Sequence, residues 1–375
     1  MTIRKILATL LALSMTLSLA ACGGNSTQTG TTQPEQTEQT EEASSVSDES
    51  ASDETTAENT ETETPADETE ASEPAEKVDI NLAALSGPTA LGMLDLLEKN
   101  ENGEAANNYN VTIATAPDEV TGKIISGELD IAAVPTNVAS TLYNKTEGQV
   151  QIAALNTMGV LYVLETGDTI QSVADLAGKT IYATGQGSTP EYALNLVLEK
   201  NGLTPGEDVE IVFAADNAEI APLLASGEAQ VALLPQPFVT SVLTQNENVR
   251  VALDLTEEWD KAVNGESGLT MGCVVVRKEF AEQNKEALDR FLDEYKQSVE
   301  TVTSEEGLAH AAELAEHYNI IKAAVAEKAI PECNIVFVEG DEMQQIAGGF
   351  LQVLYDANPQ AVGGQLPNDD FYYKR

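Results

Sequence analysis

Cations are scarce in this sequence. Of its 375 residues, 19 are Lys or Arg against 62 Asp or Glu, a formal net charge of −43. So negative a surface repels phosphate backbones and anionic headgroups, which argues against nucleic acid and anionic lipid as partners. Cysteine is scarce as well, at Cys22, Cys273 and Cys333 only. The last two cannot form a disulfide framework for a domain this long, which can build its own core. They stand either as one bridge or as two buried free thiols. His310 and His317 are the only histidines. They lie on an amphipathic segment with no cysteine at ligand spacing, so packing or surface roles are expected and no metal centre. No Gly-x-Ser-x-Gly occurs, and no histidine is placed to activate a cysteine, so no catalytic residue and no cofactor is expected.

Long apolar runs are missing with one exception. Arg4 and Lys5 precede Ile6–Leu19, fourteen apolar and small residues that are too short to span a bilayer comfortably. The run ends Leu19-Ala20-Ala21-Cys22-Gly23, which resembles a bacterial lipobox. That resemblance implies a signal peptide over 1–21 and Cys22 as the lipidated first residue of the mature protein. The plainer reading is an ordinary cleavage site beside a chance cysteine. Two acyl chains anchor stably, where one is marginal at roughly 0.8 kcal/mol per buried CH2.

Residues 22–77 read as a disordered acidic tether. Gly23–Lys77 holds sixteen acids, one base, no aromatic residue, and Val46 as its only β-branched aliphatic. Such a segment cannot bury enough surface to offset its ordering entropy. As a flexible coil it reaches on the order of 40 Å, and more with self-repulsion. The remaining forty-six acids and sixteen bases leave residues 78–375 strongly negative too.

From Val78 onward, apolar strands alternate with amphipathic helices, the pattern of an α/β fold with mainly parallel sheets flanked by helices. Strands are expected at Asp79–Leu85, Val111–Ala114, Ile131–Val134, Val150–Leu155, Val160–Leu164, Thr180–Ala183, Val209–Phe213, Val249–Leu253, Thr270–Val276 and Asn334–Val338. An internal echo organises them. Ser126-Gly-Glu-Leu-Asp-Ile-Ala-Ala-Val-Pro135 recurs as Ser226-Gly-Glu-Ala-Gln-Val-Ala-Leu-Leu-Pro235. In each copy a glycine ends a helix, a buried strand follows, and a proline closes it at the sheet's carboxyl edge. Two such segments point to two similar lobes. The first is expected over 78–167 and 269–375, the second over 168–268, with hinge crossings near Glu165–Ile170 and Leu255–Gly268.

Candidate binding residues fall at strand ends, where open α/β sheets bind ligands. Gly185-Gln186-Gly187-Ser188-Thr189 joins a strand to a helix, so its backbone can approach a ligand. As a nucleotide motif it is incomplete, and Gly178-Lys179-Thr180 precedes a strand instead of opening a helix. Ser86, Gly87, Pro88 and Thr89 form the matching loop of the first lobe. Thr136 and Asn137 follow the first echo strand and Gln236 the second; Thr157, past the strand at Val150, is counted with them. The plain alternative for each is capping and turn chemistry. Trp259 stands as a lid aromatic or as a helix residue packed on its lobe.

Assembled, these features resemble the substrate-binding lipoprotein of an ABC importer, most closely the group serving thiamine-precursor, sulfonate and nitrate uptake. Asp175-Leu-Ala-Gly-Lys179 with its Gly-rich loop, and the segment Ser226–Ala232 with its proline-bearing loop, carry the resemblance, which covers roughly Val78–Tyr355. It implies a two-lobed type II periplasmic-binding-protein fold joined by a two-crossing hinge. It also implies capture of a small molecule between the lobes, delivery to an ABC permease, and extracytoplasmic residence on a lipid anchor. Asp130 fits the family pattern, whereas Gln230 and Leu234 depart from it in the second copy. Arg250, Arg277, Arg290 and Arg375 are the domain's arginines, none in an expected cleft loop, which favours a neutral or heteroaromatic ligand over a sulfonate. The competing readings are a surface receptor that does not transport and an enzyme on the same scaffold.

Overall fold

The computed structural model describes residues 76–114 and 117–375. The expected signal peptide, Cys22 and the tether through residue 75 lie outside the described residues. The chain first forms β1 (Asp79–Leu85), β2 (Asn108–Ala114), β3 (Ile131–Pro135) and β4 (Val150–Met158). It then forms β5 (Leu161–Thr166), β6 (Thr180–Ala183), β7 (Glu210–Phe213), β8 (Val231–Pro235) and β9 (Val249–Asp254), and returns for β10 (Thr270–Arg277) and β11 (Ile335–Val338).

Two sheets result, ordered β11-β4-β10-β3-β1-β2 and β7-β6-β8-β5-β9. Set side by side, β2-β1-β3-β10-β4 of the first matches β7-β6-β8-β5-β9 of the second. Both sheets are mixed, not mainly parallel in their ladders. β10 lies antiparallel between β3 and β4, and β5 lies antiparallel between β8 and β9. Each lobe therefore takes one reversed central strand from the chain as it passes between lobes. The two echo segments become β3 and β8, which occupy equivalent positions. Gly127 and Gly227, at φ 81° and 79°, end the preceding helices in the left-handed conformation that glycine tolerates.

The first expected lobe boundary needs correction. A break at 167/168 would leave β5 in the first lobe, yet Leu161 pairs with Pro235 and Glu165 with Arg250, both in the second sheet. The chain crosses instead at Gly159–Val160. Gly159 suits that crossing because a Cβ there would lie 2.1 Å from Thr256 Oγ1. The polar Gly167-Asp168 turn merely leads from β5 to the short 3-10 turn at Val173–Leu176. The return crossing runs through 263–269, between the helix Leu255–Ala262 and β10.

One hydrophobic core runs through both lobes, from Leu155 in β4 to Ile181 in β6. Trp259 belongs to it and is no lid. It is fully buried, donates Nε1–H to the Ser267 carbonyl at 2.8 Å, and packs 5.7 Å from the ring of Phe350. The helix carrying Trp259 packs on the helix Thr189–Lys200, while Phe350 belongs to the helix Gly340–Ala357 over β4 and β10. Cys273 and Cys333 are both free and buried, which settles the two alternatives in favour of separate thiols. His310 and His317 sit on the surface against Glu98 and Glu101, at 2.8 and 3.2 Å. No helix among the described residues is long and apolar enough to cross a membrane.

Candidate ligand-binding site

The carboxyl ends of β1, β3, β6, β7 and β8 and the start of β10 open onto a single cleft of about 570 Å³ between the sheets. Its position follows from the βα grammar. A buried apolar strand must end where its backbone amides and carbonyls meet solvent, and the next helix starts there with free N–H groups.

Four expected residues line this cleft: Ser86 and Asn137 from the first lobe, Ser188 and Thr189 from the second. Ser188 Oγ donates to the Gly185 carbonyl at 2.6 Å, which tightens the glycine loop. Thr189 Oγ1 donates to Asn137 Oδ1 at 3.2 Å, directly from lobe to lobe. Gly87 turns the chain at φ 126° before the short helix that Pro88 begins, and Thr89 Oγ1 donates back to the Leu85 carbonyl at 2.7 Å.

The other expected residues lie apart from the lining. Thr136 is buried 3.1 Å from Thr270 Oγ1, and Thr157 Oγ1 donates to Asn156 Oδ1 at 3.2 Å. Gln236 is turned inward, its Oε1 accepting from Thr240 N at 3.2 Å and Thr240 Oγ1 at 2.8 Å. Gln186 and Gly187 are exposed on the outside of their loop. Strand-end position alone could not tell a side chain facing the cleft from one capping a neighbouring helix.

Sequence reasoning missed the apolar walls. Met271, second in β10, and Phe238, first in the helix after β8, face the cleft from opposite lobes. Phe238 was findable, since it follows Pro235-Gln236-Pro237 at a strand end. Met271 was not, because only the antiparallel insertion of β10 brings its amino end to this edge. Thr184 and Asn217 add a hydrogen-bonded pair, Oγ1 to Oδ1 at 2.7 Å.

Asp130 is far from the lining, at the amino end of β3. Its Oδ2 accepts from Asn81 N at 2.9 Å and Asn81 Nδ2 at 3.1 Å, and its Oδ1 pairs with Arg277 Nη2 at 2.9 Å. It ties β1, β3 and β10 together. The second lobe uses Glu165 on β5 for a comparable purpose. Glu165 accepts from Thr169 N, Thr169 Oγ1 and Ile170 N, and pairs with Arg250 Nη2 at 2.9 Å. Burial alone would raise its pKa; the hydrogen bonds of Thr169 and Ile170 and the Arg250 guanidinium outweigh that and hold it below the usual carboxylate range.

Residues 95–327 match the family model described as ABC transporter, phosphonate, periplasmic substrate-binding protein. The chain belongs to that family. It is thus the solute-binding component of an ABC importer, which captures a small molecule and delivers it to the permease. Among solved structures it is similar to an ABC transporter protein of Parabacteroides distasonis, with 25% identity and a TM-score of 0.67 over 79% of this chain and 99% of that one. The periplasmic aliphatic sulphonate binding protein of Escherichia coli shares the fold at 15% identity and a TM-score of 0.63, over 79% and 92% of the two chains. The alkanesulfonate-binding protein of Xanthomonas axonopodis pv. citri, solved bound to MOPS, shares it at 16% identity and 0.58, over 78% and 96%. No curated protein matches the chain in sequence.

Proposed function

We propose that this importer component is a lipoprotein, anchored through Cys22, whose solute contacts Ser86, Asn137, Ser188 and Thr189 in the cleft. The cleft carries the proposal: hydroxyl and amide groups from both lobes converge on one volume of about 570 Å³, within the usual size of small-molecule sites. A solute touching both lobes stabilises the closed arrangement over an open one, and the closed lobes dock on the permease. The anchor keeps the domain beside that permease, and the acidic tether over 22–77 sets its range.

A thermal-shift screen over thiamine precursors, sulfonates, amino acids and polyamines tests the solute site. A ligand at a thousandfold excess over its dissociation constant stabilises by about 4 kcal/mol. Ser188→Ala with Thr189→Val should abolish the shift given by any hit; an unchanged shift would place the solute elsewhere. Metabolic labelling with a fatty acid tests the anchor, since Cys22→Ala should remove the label and release the protein from membranes.

A further inference from the structure

We infer that the helix Gly340–Ala357 and the segment leaving it form a strap shared by both lobes, on which Gly349 seats the return crossing so that the lobes close. The inference concerns how the lobes close over a solute and does not depend on which residues touch that solute.

Glycine is the poorest helix former after proline, yet Gly348 and Gly349 stand side by side in the middle of this 18-residue helix. Close approach accounts for both. A Cβ on Gly348 would lie 3.3 Å from the Tyr372 hydroxyl. A Cβ on Gly349 would lie 3.3 Å from Ser267 Cβ and 3.4 Å from the Glu266 carbonyl oxygen, both in the return crossing over 263–269. That crossing has little room to retreat. The Ser267 carbonyl accepts the Trp259 Nε1–H at 2.8 Å, and a Cβ on Gly268 would lie 3.0 Å from Met158 Cε, beside the outgoing crossing. Trp259 in turn packs on Phe350, the next residue of the strap.

The strap meets the second lobe again at its carboxyl end, where Asn358 Nδ2–H donates to the Tyr192 hydroxyl at 3.2 Å. Tyr192 lies three residues after Thr189, on the same face of the helix Thr189–Lys200, and that helix packs on the one carrying Trp259. The exit segment is fixed to the first lobe. Its Val362 carbonyl accepts from Ser140 Oγ at 2.8 Å and from Asn144 Nδ2 at 2.9 Å, both on the helix Thr136–Lys145 that also carries Asn137. A crossing pushed off Gly349 would therefore carry Trp259 and the two packed helices away from the first lobe. Thr189 would leave Asn137, and Tyr192 would leave Asn358.

The test is fluorescence transfer between labels on the two lobes of the full chain, without solute. Gly349→Ala should raise the open-to-closed ratio at least roughly threefold. Ser267→Gly in the same chain removes the two side-chain atoms that the new methyl would meet, and should bring the ratio back. Tyr192→Phe keeps the ring, removes the acceptor for Asn358, and should raise the ratio roughly two- to tenfold; it serves alone if Gly349→Ala does not fold. Urea unfolding run beside it separates lobe closure from plain stability, since alanine is the better helix former. A lower unfolding midpoint with an unchanged ratio in Gly349→Ala would mean packing only and overturns the inference. An unchanged ratio in Tyr192→Phe overturns it too, as does a Gly349→Ala ratio that Ser267→Gly fails to restore.

Discussion

Thr189 Oγ1 reaches Asn137 Oδ1 at 3.2 Å, and both side chains are buried. The bond joins the first turn of a second-lobe helix to the first turn of a first-lobe helix. Asn137 also donates Nδ2–H to the Ala361 carbonyl at 3.4 Å, so it is held from behind by the C-terminal segment. Thr189→Val keeps the shape of the side chain and removes the donor. It should destabilise the closed arrangement by about 1 kcal/mol. Fluorescence transfer between labels on the two lobes would show this as a larger open fraction, and Asn137→Ala combined with it should be non-additive.

Gly159 gives a sharper steric expectation. A Cβ would lie 2.1 Å from Thr256 Oγ1 and 2.9 Å from its Cβ, so Gly159→Ala forces the crossing away from the helix Leu255–Ala262. The cost should be about 1–3 kcal/mol, read as a lower midpoint in urea unfolding. Thr256→Ala removes two of the three clashing atoms and should restore part of the loss; no restoration would point to a backbone cause.

Glu165 sets an acid-side dependence. Its folded pKa lies below the ordinary 4.5, so the unfolded chain binds its proton more readily. Its contribution is complete above that unfolded value and is lost as pH falls through the lower folded value. The stability gap between the wild type and Glu165→Gln should therefore be larger at about pH 7 than at about pH 3. A gap independent of pH would sink this assignment.

The thiols make a chemical prediction. Burial pushes Cys333 up to about 12 and raises Cys273 further, so neither forms a thiolate at neutral pH. In the native domain, Ellman's reagent should find neither of the two within minutes, and both should react at once in guanidinium. Rapid native reaction of one would show that its surroundings open.

Much of the scaffold was legible because local patterns carried it. The strand Asp79–Leu85 and the strand Thr180–Ala183 were expected at the bounds the structure shows, since each is an apolar run closed by turn residues. The echo at Ser126 and Ser226 pointed to two lobes, and its copies are the equivalent strands β3 and β8. The helix Ala323–Ala329 was not expected, because a seven-residue alanine-rich segment has too little amphipathic pattern to stand out. Within the cleft, Ser86 and Ser188 were found as strand-end hydroxyls, but Gln236 and Thr136 share that position and turn inward. Side-chain direction depends on which neighbour offers a partner, and that neighbour is distant in sequence.

By itself, then, the sequence determined the βα alternation, the pairing of two lobes and the loops facing a common edge, since periodicity, glycine caps and strand-ending prolines act over a few residues. Only the tertiary structure decided that β5 crosses into the second sheet, that Met271 walls the cleft, and that Thr189 meets Asn137 across the lobes. Those outcomes depend on contacts between segments far apart in the chain, where packing and hydrogen bonding choose among arrangements that the local pattern leaves equal.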